Sequence, residues 1–198
     1  MKKYFIIIII FTLFSIDAIA QTSELTQFNT ERLQVNKIGM VVLGGWALGN
    51  MATNGVLLSN PGSNEQAHFY RMNIFWNVVN LALAVPGLRH SIITDPSALS
   101  LAETTAEFHQ MSKIVLMNAA LDVAYITGGV LMKEMAKTRP NKQDILRGYG
   151  KSLVLQGGFL LAFDAVLYLA LQAKSKGLAN ILDKVTIGPE SVGFIFRF

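Results

Sequence analysis

Four apolar stretches, each long enough to cross a bilayer and each interrupted near its centre by a polar side chain, constrain this chain more than any other feature. They cover residues 38–58, 66–88, 111–132 and 149–173, and their central polar residues are Asn50, Asn77, Asp122 and Asp164. Crossing the hydrocarbon core takes about 20 apolar helical residues, and a polar or ionisable residue at that depth is costly unless it faces the interior of a bundle. The expected fold class is therefore an all-α integral membrane protein, a four-transmembrane-helix up-down bundle. Composition agrees: 52% of the 198 residues are hydrophobic, only 15% are charged, and the mean hydropathy is +0.40. Soluble domains carry about 25% charged residues.

Helical spacing collects the polar residues of each stretch on one face. Trp46, Asn50 and Asn54 are spaced by four in the first, and Asn73, Asn77 and Asn80 fall in a narrow sector of the second. Asn118, Asp122, Tyr125 and Gly129 form the stripe of the third; Gly150, Gly157, Leu161, Asp164 and Tyr168 form that of the fourth, with Gln156 near its edge. Gly44, Gly45, Gly49, Gly55, Gly157 and Gly158 are expected to let neighbouring backbones approach closely, because lipid offers no hydrophobic drive for helices to associate. In an alternating bundle Asn50, Asn77, Asp122 and Asp164 meet at one depth, with Asn54, Asn73, Asn80, Asn118, Tyr125 and Gln156 extending the band. This is the candidate ligand or ion site. No lysine or arginine stands at that depth, so the two carboxyls either hold protons and bond to the amides or share a cation.

The connecting segments fix orientation. Residues 1–20 read as a secretory signal peptide: Lys2 and Lys3, an apolar run over 5–16, then Ala18-Ile19-Ala20 as the small-residue cleavage pattern. Cleavage would start the mature chain outside the cytoplasm near Gln21; left uncleaved, the segment becomes a fifth span. No cysteine follows the site, or stands anywhere, so a lipoprotein, disulfides and thiolate chemistry are not expected. Residues 21–37 are expected as an extracytoplasmic amphipathic helix or arm at the membrane interface, 38–176 as the transmembrane domain. Residues 59–64 are turn formers; Pro86-Gly87 should end the second helix, and Thr94-Asp95-Pro96 should open the next. Between 133 and 151, Lys133, Lys137, Arg139, Lys142, Arg147 and Lys151 face only Glu134 and Asp144. Such a loop belongs on the cytoplasmic side, which puts the mature termini outside and the protein in a bacterial inner membrane.

Beyond residue 176 the pattern becomes β-like, with alternating runs at 184–187 and 192–198 around Gly188-Pro189, the signal of a short C-terminal hairpin over 177–198. The ending Phe194-x-Phe196-x-Phe198 resembles the terminal strand of bacterial outer-membrane β-barrels. That resemblance covers only the last few residues and implies an outer-membrane barrel. A barrel needs many strands of about ten alternating residues, whereas the preceding chain consists of glycine-containing apolar runs with helical stripes, so a hairpin packed on a helical bundle is expected instead.

Motifs for catalysis are missing. Gly150-Lys151-Ser152 has the ending of a phosphate-binding loop, but Ile145 stands where its leading glycine belongs and no strand precedes it. His90 and His109 with Glu103 and Glu107 share the outer side, while His68 lies on the inner side; a metal centre is not expected from them. No enzyme and no cofactor are expected, and the basic loop lacks the aromatics of a nucleic-acid surface. The partners expected are the lipid bilayer, a second copy in a homodimer, or another membrane or periplasmic protein. Two function classes follow. The first is a structural or interaction protein whose polar core fixes helix register; the second is a small carrier or sensor of a proton, cation or ligand at Asp122, Asp164 and the asparagine cluster.

Overall fold

A computed structural model of the chain describes the backbone of residues 2–183, 185–187 and 192–194 and the side chains of residues 23–183. Four long helices dominate: α1 (Lys2–Leu58), α2 (Asn64–Ile93), α3 (Leu101–Met135) and α4 (Gln143–Asp183), with a 3-10 turn at Pro140–Lys142 leading into α4. They alternate in direction. Contacts pair Met40 with Gly87 between α1 and α2, Gly129 with Gly150 between α3 and α4, and Gly39 with Leu167 between α1 and α4. Helix α4 is the common element: it packs on all three others, whereas the backbones of α2 and α3 do not approach one another.

The bundle is inverted in polarity. Asn73, Asn77, Asn80, Gln156 and Ser152 are among its most buried side chains, while Leu48, Val56, Phe75, Leu116, Val166 and Leu169 are exposed. Water would impose the opposite arrangement, and a bilayer imposes this one. Among the described residues three helices are long and apolar enough to cross a membrane: the Ser23–Leu58 part of α1, α3, and the Pro140–Asp183 segment containing α4. The fourth expected span, α2, falls short of that composition. Its 30 residues suffice in length, but Asn73, Asn77 and Asn80 dilute its apolar character.

Helix ends also depart from expectation. Pro86 lies inside α2, which continues to Ile93, so the proline does not end the helix. Here Asn36 of α1 donates Nδ2 to Ser91 Oγ at 2.6 Å and to the Gly87 carbonyl at 3.3 Å, tying the two helices together just beyond the proline. The next helix begins at Leu101 rather than Pro96, because Ser100 and Glu103 form a reciprocal capping box. Asp95 instead closes a turn, accepting from the Ser97 amide and hydroxyl, which hold its carboxyl below its ordinary pKa. Segment 21–37 is helical, but as a continuous part of α1 and not a separate short element, and Phe28 and Leu33 are buried. Phe28 joins Phe108, Val115, Leu167, Leu171, Leu178 and Ile181 in an apolar core at this end of the bundle.

Close approach occurs at one of the expected glycines, Gly157, and at others. A Cβ on Gly45, Gly49, Gly55 or Gly158 would meet nothing within 4 Å, whereas one on Gly157 would lie 3.0 Å from the Asp122 carbonyl oxygen, one on Gly129 2.7 Å from that of Gly150, and one on Gly148 2.5 Å from that of Glu65. Helix α4 thus crosses closely on both α3 and α2. At the C-terminus, Val185–Ile187 (β1) and Val192–Phe194 (β2) pair antiparallel, with Val185 opposite Phe194; the connecting residues and Phe196 and Phe198 lie outside the described residues.

Candidate functional site

The expected single band resolves into two polar groups at different depths. Gln156 and Asp164 stand eight positions apart on α4, about 12 Å along the axis at 1.5 Å per residue, so one level cannot hold both. Gln156 belongs to an amide network. Its Nε2 donates to Asn73 Oδ1 at 2.8 Å and to Asn50 Oδ1 at 3.4 Å, and its Oε1 accepts from Trp46 Nε1 at 3.0 Å. Asn73 Oδ1 also accepts from Ser152 Oγ at 2.8 Å, and Asn73 Nδ2 donates to Asn54 Oδ1 at 3.3 Å. Three further amides donate to backbone: Asn50 to the Trp46 carbonyl, Asn54 to that of Asn50, Asn77 to that of Asn73. Trp46 stacks on Phe159 with ring centroids 3.8 Å apart, sealing one side. The network thus joins α1, α2 and α4, and omits α3.

Asp122 and Asp164 form the second group. Only 2% and 5% exposed, they are close neighbours, one on α3 and one on α4. Asp122 Oδ2 is buried with no hydrogen-bond partner. Both residues line a cavity of about 580 Å³ bordered by residues of all four helices, together with Asn118, Tyr125, Trp76 and Asn80. Asn80 is the junction: it donates Nδ2 to Asn77 Oδ1 at 3.2 Å and also borders the cavity. Tyr125 meets Trp76 edge to face at 4.7 Å, bridging α3 and α2 where their backbones stand apart. Leu43, Leu83, Ile114, Val115, Leu160 and Phe163 supply apolar walls.

Arg32, His90 and Glu107 line the same cavity at its other end. Glu107 lies fifteen positions before Asp122 on α3, about 22 Å along the axis. Arg32, 3% exposed, donates Nη2 to Glu107 Oε2 at 2.7 Å; His90 Nε2 lies 3.7 Å from the same oxygen. Beside them Asn29 and Thr104 exchange hydrogen bonds at 2.9 and 3.1 Å. The four outer residues considered for a metal do not converge: Glu103 serves the capping box and His109 packs on Phe108. Among the described residues no cluster of three potential ligands occurs.

Sequence periodicity therefore placed all ten candidates on inward faces but did not distribute them between the two groups. Asn50, Asn54, Asn73, Asn77 and Gln156 enter the network; Asn118, Asp122, Tyr125 and Asp164 line the cavity; Asn80 does both. Ser152, Trp76 and Arg32 were missed. Ser152 stood inside a failed phosphate-loop pattern, whereas Trp76, one position before Asn77, was hidden by its apolar character. Arg32 was assigned to the interface.

Residues 42–165 match the sequence profile of a family of unknown function, DUF6992. The chain belongs to this family. The matched segment includes the whole amide network and both aspartates, and excludes Arg32. No curated protein and no solved structure matches the chain.

Proposed function

We propose that this is a small multi-pass membrane protein that binds a proton or a cationic ligand between Asp122 and Asp164, as a carrier or sensor and not as an enzyme. The observation that carries this reading is the position of the two carboxyls. They are buried, they are close neighbours, and they open on a cavity that holds no basic side chain near them. Two carboxylates so placed repel unless a positive charge or a proton lies between them. Structural duty is taken up by the separate amide network, whose members satisfy one another without Asp122 or Asp164.

In this proposal α2 crosses the bilayer beside the three more apolar helices. The basic segment 133–151 faces the cytoplasm and the opposite end of the bundle, with Arg32, His90 and Glu107, faces the outside of a bacterial inner membrane after removal of residues 1–20. Membrane fractionation of a tagged chain tests the location; recovery in the outer membrane would overturn it. Binding is tested by thermal unfolding of the purified protein across pH and across added sodium, potassium and methylammonium. Midpoints should move with pH or with one cation, and the double variant Asp122→Asn/Asp164→Asn should remove that movement. The other titratable groups facing the cavity, Arg32, His90, Glu107 and Tyr125, remain in that variant and serve as its internal control. An unchanged response in the double variant would refute the assignment.

A further inference from the structure

We infer that the occupant of this site is an organic ammonium carrying an apolar tail, its head held by Asp122 and Asp164 against the rings of Trp76 and Tyr125 and its tail lying along Leu83 and Ile114. The inference rests on the binding reading above and narrows it to one ligand class.

Three independent features select this class. Charge comes first: the floor offers two carboxyls, and Asp122 Oδ2, on a side chain 98% buried by its 2% exposure, has no hydrogen-bond partner. The one guanidinium lining the cavity, Arg32, is already paired with Glu107 about 22 Å away. Two donors lining the cavity are also without partners, Trp76 Nε1 and Arg32 Nε, but the acceptors at the floor are the two carboxyls, which no basic side chain nearby neutralises.

Aromatic surface comes second. Trp76 and Tyr125 flank the same floor, and an ammonium is attracted to the face of such rings, most strongly to tryptophan. A bare sodium ion gains most from oxygen ligands, whereas an alkylammonium gains from carboxyls and rings together. The volume points the same way. About 580 Å³ lies within the range of pockets for drug-sized ligands and far exceeds the space of one ion, and most of its wall is apolar.

Access comes third. Because the α2 and α3 backbones do not approach each other, the cavity opens sideways between them. Leu83 on α2 and Ile114 and Leu121 on α3 stay 58%, 48% and 48% exposed while lining it. A solute dissolved in the lipid core can enter there tail and head together, which a hydrated inorganic ion cannot.

The test uses the full chain in lipid nanodiscs, with Trp46→Phe leaving Trp76 as the one tryptophan of the two present. Trp76 fluorescence is titrated with n-octylammonium, n-octanol, octanoate, methylammonium and sodium, against empty nanodiscs. Octylammonium should give a saturable change. Methylammonium, octanol and octanoate should bind about tenfold or more weakly, and Asp122→Asn and Asp164→Asn should each weaken octylammonium to the level of octanol. Leu83→Phe, which narrows the tail wall and leaves the carboxyls intact, should weaken octylammonium and leave methylammonium unchanged. Equal responses to octanol and octylammonium, or octylammonium binding indifferent to all three substitutions, would overturn the inference. Stabilisation by sodium or protons without octylammonium binding would overturn the ligand class and leave the binding reading standing; no response to any of them would overturn both.

Discussion

Replacing Asn73 by alanine should be the most informative single perturbation of the amide network. Its side chain makes three hydrogen bonds across helices: it accepts from Ser152 and Gln156, each at 2.8 Å, and donates to Asn54 at 3.3 Å. The Asn77 bond to the Asn73 carbonyl is to backbone and survives. Interhelical side-chain hydrogen bonds in bilayers contribute about 0.6 kcal/mol on average and up to about 1.7, so three of them amount to about 2 kcal/mol. The assay is reversible unfolding in mixed micelles, titrating denaturing detergent and following helix content. A double-mutant cycle with Gln156→Ala isolates one pair, with an expected coupling of about 0.6–1.7 kcal/mol. Asn118→Ala, whose amide has no hydrogen-bond partner and faces the cavity, should fall within about 0.5 kcal/mol of the parent. A coupling below about 0.3 kcal/mol, or equal losses for Asn73 and Asn118, would refute the division of the polar residues into a structural network and a binding cavity.

Three further outcomes are expected. Gly129→Ala places a methyl 2.7 Å from the Gly150 carbonyl oxygen, which cannot step aside, and should cost about 1–3 kcal/mol in the same unfolding assay; Gly158→Ala, with nothing within 4 Å, should be neutral or slightly stabilising. Arg32→Met leaves Glu107 without its 2.7 Å partner and should cost about 1–3 kcal/mol, whereas Lys174→Met at the half-exposed Glu31 pair should cost less than about 1 kcal/mol. Asp95 titrates below its ordinary 3.8 because the Ser97 hydroxyl and then the Ser97 amide bond its carboxylate. A depressed folded value means that the turn's contribution is complete above the ordinary value and is lost as pH falls through the lower one. Carboxyl carbon shifts should therefore report a midpoint below 3.8, moved upward by Ser97→Ala.

Much of this was legible in sequence because period and composition are local. Asn73, Asn77 and Asn80 occur at helical spacing, so their common burial follows from geometry alone, as does the inward stripe of Asn118, Asp122 and Tyr125. Depth is not local. Nothing in the spacing of Gln156 and Asp164 tells which asparagine or aspartate stands opposite each, since that depends on how far neighbouring helices slide, and the slide is set by crossings such as Gly129 on Gly150. Burial of Arg32 was illegible for the same reason: its partner Glu107 lies 75 positions away. Helix ends misled because two start signals competed, and the Ser100 and Glu103 pair, satisfying two backbone groups at once, prevailed over Asp95-Pro96.

The dependence of the bundle on α4 also shapes how the chain is assembled during synthesis. The heaviest packing lies within the hairpins α1 with α2 and α3 with α4, and each can enter the membrane as it leaves the translocation machinery. Asn54 and Asn73 meet within the first hairpin, but Trp46, Asn50 and Asn73 must wait for Gln156 and Ser152, which are made last. Until then the first hairpin carries unmatched amides in lipid, a state that favours docking of the second over dispersal. The two halves, cut in the 136–142 connection and expressed as separate polypeptides, should find each other through those amides and the packing of α4 on α1 and α2.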